Sequence, residues 1–283
     1  MNSKSIIKLG NQILDWKKSP HLLLSGVTGS AKTSALLLAS LSSMTSKGII
    51  PGKRGMTAKV YFADGKGALR SFLDTKVAVT PAQLAKLLRI SVENMKARYQ
   101  NFNGDFGMDA SDYIDGLGRS IRPVIISIDE LGIFLNDPKT RGEILHYLFE
   151  LLVGARQASI YVSPQLGHKV IVGIQRPSAE ILPRDTSLQF NTRILLAPNA
   201  ADNDTKRMLF PMTDVKALPI VEANAEGNAR GTGLIYEEGL DWIVPRPIYL
   251  PDISNLNIPS IVTRIDNEVD PNWFIKEDYW QEP

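Results

Sequence analysis

Lys32 and Thr33 stand near the end of Gly26-Val27-Thr28-Gly29-Ser30-Ala31-Lys32-Thr33-Ser34, a stretch that follows the apolar run Leu22-Leu23-Leu24 and leads into a helix-compatible segment. A strand that stops at Gly26 and restarts as a helix at Lys32 leaves backbone N–H groups in the turn without intrahelical acceptors. Those donors and the positive end of the helix dipole favour an anion. A triphosphate fits the need: residues 26–34 would cradle it, Lys32 would reach the terminal phosphates and Thr33 would hold Mg²⁺. The usual spacing, G-x-x-x-x-G-K-[ST], has a second glycine where this chain has Ala31. If that residue needs a positive φ, alanine costs roughly 1 kcal/mol; with a negative φ, only crowding by its methyl group matters.

The second chemical signal is Pro123-Val124-Ile125-Ile126-Ser127-Ile128-Asp129-Glu130, an apolar strand that ends in two carboxylates. Such a pair is costly at the end of a buried strand unless it meets a cation or does chemistry. Downstream of a phosphate loop, Asp129 is placed to position Mg²⁺ and Glu130 to polarise an attacking water. A third is the run Lys169–Ile174, which delivers Gln175-Arg176-Pro177-Ser178 at its end.

The elements that must hold these residues alternate. Strands are expected at 22–24, 59–64, 123–130, 169–174 and 191–196, and helices at 34–46, 80–101 and 141–157. Alternating strands and helices imply a parallel sheet with right-handed crossovers, whose carboxyl edge is where ligands bind. Asp64-Gly65-Lys66 forms a turn at that edge. Residues 103–119, rich in glycine and aspartate, read as a loop. The amino terminus has Ile6, Ile7, Leu9, Ile13, Leu14 and Trp16 near helical spacing, so residues 1–19 are expected to form an amphipathic helix rather than a signal peptide. One domain is expected over residues 1–250, followed by an acidic tail over 251–283.

Composition narrows the classes. With 43% hydrophobic and 22% charged residues, the 283-residue chain has the balance of a soluble globular protein. Lacking cysteine, it can have no disulfide framework and no thiolate metal site. His21, His146 and His168 are too scattered to suggest zinc and read as packing or surface residues. No apolar run is long enough to span a bilayer, so the expected compartment is the cytoplasm. Net charge is only +2, yet residues 1–76 hold 12 Lys/Arg against Asp15, Asp64 and Asp74, whereas residues 251–283 hold seven acids against Arg264 and Lys276. A basic amino-terminal part can meet a polyanion such as DNA; solvated faces without a partner are the alternative.

Taken together, LLLSGVTGSAKTS, the Asp64-Gly65-Lys66 turn, KARYQ, IISIDELGIFL, GARQ and VIVGIQRPSAEILPRDTSLQFNTRILL resemble, in the same order, the motor domain of FtsK/SpoIIIE DNA translocases within the HerA-FtsK group. The resemblance covers roughly residues 20–240, and its most specific piece is Gln-Arg-Pro-Ser followed about 13 residues later by Asn-Thr-Arg. The family usually has glycine at the Ala31 position and Asp-Pro-Lys where this chain has Asp64-Gly65-Lys66. The resemblance implies a RecA-like P-loop α/β fold, with ATP and Mg²⁺ as ligands. It implies Lys32 and Thr33 at phosphate and metal, Asp129 as the Walker B acid, Glu130 as catalytic carboxylate and Gln175 as γ-phosphate sensor. It also implies a homo-oligomeric ring, usually a hexamer, on double-stranded DNA, with an arginine supplied by the neighbouring subunit. Arg193 and Arg156 are the candidates for that arginine, a structural ion pair being the alternative for either.

Lys53 and Arg54, in a glycine-flanked loop, are candidate DNA contacts; a basic loop facing away from the ring pore is the alternative. Residues 158–168 lengthen a connection that is shorter in the family, as a subunit or DNA contact or as a surface hairpin. The expected activity is ATP-driven movement of double-stranded DNA in conjugative, plasmid or mobile-element transfer. The expected motor is minimal and depends on a membrane-anchoring or DNA-processing partner. A phage genome-packaging ATPase and a non-pumping NTP-binding assembly protein are the alternatives, and retention of Glu130 and Gln175 favours a pump.

Overall fold

The computed structural model describes residues 6–16, 19–45, 58–69, 77–101, 123–161, 168–222 and 230–266. Lys53, Arg54 and the stretch 103–119 lie outside them. The chain opens with a hairpin, β1 (Ile6–Leu9) and β2 (Gln12–Asp15), and continues with β3 (His21–Gly26), α1 (Lys32–Met44), β4 (Lys59–Asp64), β5 (Val77–Ala78) and α2 (Pro81–Asn101). Then come β6 (Val124–Asp129), the short α3 (Leu131–Phe134), α4 (Pro138–Tyr161), β7 (His168–Ile174) and α5 (Arg184–Ser187). The carboxyl-terminal part adds β8 (Thr192–Leu196), α6 (Asn203–Leu209), β9 (Thr232–Glu237), β10 (Arg246–Tyr249) and α7 (Ile258–Asp266).

Eight strands form one sheet in the order β10-β9-β8-β3-β7-β6-β4-β5. The six strands from β8 to β5 are parallel, while β9 and β10 add an antiparallel edge. The central strands are buried along their whole length because both faces are covered. One face packs under α2 and α4 through residues such as Leu84, Leu88, Leu148 and Leu152; the other packs under α1 and the hairpin through Leu36, Ile7, Leu9, Leu14 and Trp16. Among the described residues no helix is long and apolar enough to cross a membrane.

The helix expected at 1–19 is corrected: its described part is the hairpin, closed by the two-residue turn Gly10-Asn11. Ile7 with Leu9, and Leu14 with Trp16, are buried pairs two residues apart, while Ile13 is 60% exposed, which is the period of a strand. Gly10 decides the turn, since its φ is +61° and a Cβ there would lie 2.0 Å from the carbonyl oxygen of Tyr249.

Lys169 bolts this hairpin to the sheet. It is fully buried at the start of β7 and donates from Nζ to the Trp16 carbonyl at 2.6 Å, with the Trp16 ring centroid 5.8 Å away. Burial pushes its pKa down to about 7, a shift that Asp15 partly opposes. The core also runs past residue 250: Ile253 and Ile258 are buried and Val262 packs against them.

Candidate functional site

The strand order explains why distant motifs meet. β7 lies between β3, which ends in the phosphate loop, and β6, which ends in the acid pair, so all three discharge side by side at the carboxyl edge. A cavity of about 240 Å³ opens there, lined by the loop residues from Gly26 to Ser34 other than Ser30 and by Lys66, Glu130, Gln175 and Arg230.

The contacts are specific. Thr33 Oγ1 donates to Asp129 Oδ2 at 2.7 Å. Lys32 Nζ pairs with Glu130 Oε2 and lies 3.7 Å from Asp129 Oδ1. Glu130 Oε1 accepts from the Gln175 backbone N–H at 3.0 Å, and the Gln175 side-chain amide donates to Thr28 Oγ1 at 2.7 Å. Gln175 therefore bridges the phosphate loop and the acidic residue. Two of these residues have left-handed backbones, Ala31 at φ 74° and Glu130 at φ 62°. The positive-φ branch of the Ala31 argument is thus the one that applies. Such conformations cluster at sites whose surroundings over-determine them.

The residues fit a divalent cation. Asp129 is 2% exposed, and its Oδ1 is a buried acceptor with no hydrogen-bond partner. The Thr33 hydroxyl stands on the same carboxylate. Space for that carboxylate comes from Gly173 on β7, where a Cβ would lie 3.1 Å from Asp129 Oδ1. Among the described residues no cluster of three or more His, Cys, Asp or Glu forms a metal cage; one carboxylate and one hydroxyl are a pair that would suit Mg²⁺ if phosphate and water completed its oxygen shell.

Of the residues expected at the site, the loop members, Asp129, Glu130 and Gln175 are brought together. Within the loop Ser30 faces inward: its Oγ would lie 2.4 Å from a Cβ at Gly26, and its carbonyl accepts from Gly231 N at 3.3 Å. Arg193, a candidate for completing a neighbour's site, is held within its own chain. It is 6% exposed, and its guanidinium donates to the carbonyls of Phe190, Leu209 and Ser187 at 3.0, 3.1 and 3.2 Å. It braces the loop before β8 against the end of α6. Arg156 falls in the last turns of α4.

The histidines behave as packing or surface groups. Buried His21 accepts from Val170 N at Nδ1, which leaves Nε2 to donate to the Leu152 carbonyl. His146 is on the surface, 3.7 Å from Glu150. Buried His168 is held neutral, first by desolvation and second by Arg98.

Two cationic residues of the cavity were given no role from the sequence. Lys66 lies 3.8 Å from Glu130 Oε2; its signal was its place in the turn at the carboxyl end of β4. Arg230 arrives because β9 runs antiparallel, which brings its beginning, Gly233 opposite Leu196, to the edge where the parallel strands end. No local pattern announces that reversal.

The fold and this cavity define a RecA-like P-loop ATPase fold with a mostly parallel sheet. No family model matches the chain. Among curated proteins it is 30% identical over 191 residues to the FtsK domain-containing protein YdcQ of Bacillus subtilis, covering 65% of this chain and 36% of that protein. It is 26% identical over 214 residues to the DNA translocase FtsK of Caldanaerobacter subterraneus, covering 73% of this chain and 28% of that protein. The chain spans between 28% and 36% of the length of the curated relatives it matches.

Among solved structures it shares its fold with the pCW3 conjugation coupling protein TcpA in a monomer form with ATPγS, at a TM-score of 0.70 and 20% identity over 94% of this chain and 72% of that one. The cytoplasmic domain of the type VII secretion ATPase EccC of Thermomonospora curvata gives a TM-score of 0.64 at 15% identity, over 100% of this chain and 33% of that one. Within the P-loop class, this chain is therefore similar to proteins named for the FtsK domain and to FtsK DNA translocases.

Proposed function

We propose that this chain is an ATP-hydrolysing motor that moves double-stranded DNA. The observation that carries the reading is the chain of contacts Thr28–Gln175–Glu130–Lys32, in which Gln175 joins the loop to Glu130 and Glu130 joins it to the phosphate-loop lysine. A protein that only binds nucleotide has no need of that chain. Phosphate oxygens entering the loop compete with Glu130 for Lys32. The released carboxylate then accepts a proton from water and orients it toward the γ-phosphate, while Gln175 passes the change from Thr28 to Glu130. Thr33 and Asp129 would hold Mg²⁺, which when bound neutralises charge on the phosphate oxygens.

The motor acts as a homo-oligomeric ring, for which Arg156 remains the candidate for completing a neighbour's site. It serves conjugative, plasmid or mobile-element DNA transfer in the cytoplasm, with a partner protein supplying anchoring or DNA choice. DNA is gripped by phosphate contacts that ignore sequence, with Lys53 and Arg54 as candidates. The test is ATP turnover with and without duplex DNA. Acceleration by several unrelated duplexes, loss of turnover in Lys32→Ala, and retained binding without turnover in Glu130→Gln are expected. Equal rates with and without DNA at every protein concentration would refute the reading.

A further inference from the structure

Glu130 Oε2 faces two ammonium groups. Lys32 Nζ pairs with it from the phosphate loop, and Lys66 Nζ lies 3.8 Å away, on the turn that follows β4. An entering nucleotide claims Lys32 for its phosphates. Lys66 is the cation that then stands beside the same carboxylate oxygen, and the way its turn is built shows that its place is fixed.

Asp64, fully buried at the end of β4, holds the turn from within. Its Oδ1 accepts from Lys66 N at 2.9 Å and its Oδ2 from Leu69 N at 2.8 Å, while its carbonyl accepts from Gly67 N at 3.0 Å. A short carboxylate bonded to the backbone two residues on sets the direction of the chain locally. The turn is also docked on the segment that carries Glu130. Asp64 and Asp129 stand opposite one another across the parallel pair β4 and β6, so the two strands end at one level. α3 then packs against the turn so closely that a Cβ at Gly65 would lie 2.6 Å from Ile133 Cγ2. Ile133 N donates to the Glu130 carbonyl at 3.1 Å. The backbones that present Lys66 and Glu130 are thus held against each other.

We propose that Lys66 is a positioning residue for hydrolysis, which keeps the Glu130 carboxylate in place when Lys32 turns to phosphate. The inference rests on reading Glu130 as the hydrolytic carboxylate. With Lys32 withdrawn, Glu130 Oε1 keeps the Gln175 N–H at 3.0 Å, and Oε2 needs a second anchor to define the plane of the group. Lys66 supplies it by charge attraction, which acts across the 3.8 Å gap without a rigid hydrogen bond. Because the lysine side chain is half exposed, the pair adds little to the stability of the fold. What it contributes is direction, and a reacting group misplaced by about 1 Å can cost about a hundredfold in rate. A single oxygen asks only for a cation on a long stem, so arginine can stand in for lysine here.

The test measures ATP turnover in the presence of duplex DNA for Lys66→Met and Lys66→Arg. In Lys66→Met, kcat should fall about ten- to a hundredfold, with KM for ATP within about threefold of wild type and an unchanged Tm. Lys66→Arg should keep kcat within about threefold of wild type. An unchanged kcat in Lys66→Met, a raised KM with kcat intact, or no recovery with arginine overturns the inference.

A lysine that touches the nucleotide itself is separated from one that acts through Glu130 by ATP binding in the Glu130→Gln background, where no turnover is needed. There Lys66→Met should leave Kd within about threefold, and a larger loss would place Lys66 on the phosphates and overturn the inference. Absence of ATP turnover in the wild type, with and without DNA, refutes the hydrolytic reading and the inference with it. That result is distinct from normal turnover in Lys66→Met, which refutes the inference alone.

Discussion

Replacing Ala31 by glycine isolates the cost of the departure from the usual loop spacing. Ala31 has φ 74° and ψ 26°. An L-residue held there costs about 1–2 kcal/mol, which glycine would relieve, while glycine adds about 0.5–1 kcal/mol through the greater freedom of the unfolded chain. The net gain is about 0.5–1 kcal/mol, or a rise of about 1–3 °C in Tm for a chain of this length. Affinity responds differently. The left-handed turn is already built into the loop, whose next helical turn hangs from it by Ala35 N donating to the Ala31 carbonyl at 2.9 Å. The relief therefore applies to free and bound forms alike, and Kd for ATP should change by less than about twofold. Thermal melts and ATP titrations on both proteins separate the two effects. A lower Tm would refute the strain argument; an unchanged Tm with binding tightened about fivefold would show that the strain arises on binding.

Three further outcomes follow from particular contacts. Lys169 has a folded pKa lowered to about 7 from 10.5, so between those values the unfolded chain binds the extra proton and stability must rise with pH. From pH 7 to pH 9 the gain is on the order of 2 kcal/mol, and calorimetry should find that component of the slope missing in Lys169→Met. Gly173→Val drives a side chain against Asp129 Oδ1, and steady-state kinetics should show turnover cut at least about tenfold with a raised Mg²⁺ requirement. Arg193→Lys removes the fork that serves three carbonyls and should cost about 2 kcal/mol or more of stability. Well below its Tm its turnover should remain within about threefold of wild type, whereas loss of an arginine that stabilises the transition state costs about a thousandfold.

The site was more legible in the sequence than the frame around it. Gly26 to Ser34, Asp129, Glu130 and Gln175 sit at the ends of apolar strands, and a parallel sheet brings such ends to one edge, so their meeting followed from order alone. The hairpin at residues 6–15 was misread because apolar residues at 6, 7, 9, 13, 14 and 16 satisfy both periods, and only the turn at Gly10 separates them. Arg230 was invisible for a different reason. Its position depends on β9 pairing antiparallel with β8, and β10 antiparallel with β9, which buries Leu234, Ile235 and Ile248 without any local mark of direction. Arg193 followed a family-like Asn-Thr-Arg, but whether a guanidinium faces a neighbour or its own loop is decided by packing around Phe190 and Leu209.

The most direct test of the motor reading is displacement of a third strand from a triplex placed at one end of a long duplex. The account predicts that this chain, with ATP and Mg²⁺, releases the third strand from unrelated duplexes, and that Glu130→Gln binds the same DNA and nucleotide yet releases none. Release that does not require ATP, or turnover stimulated by DNA with the triplex left intact under every condition, would contradict it.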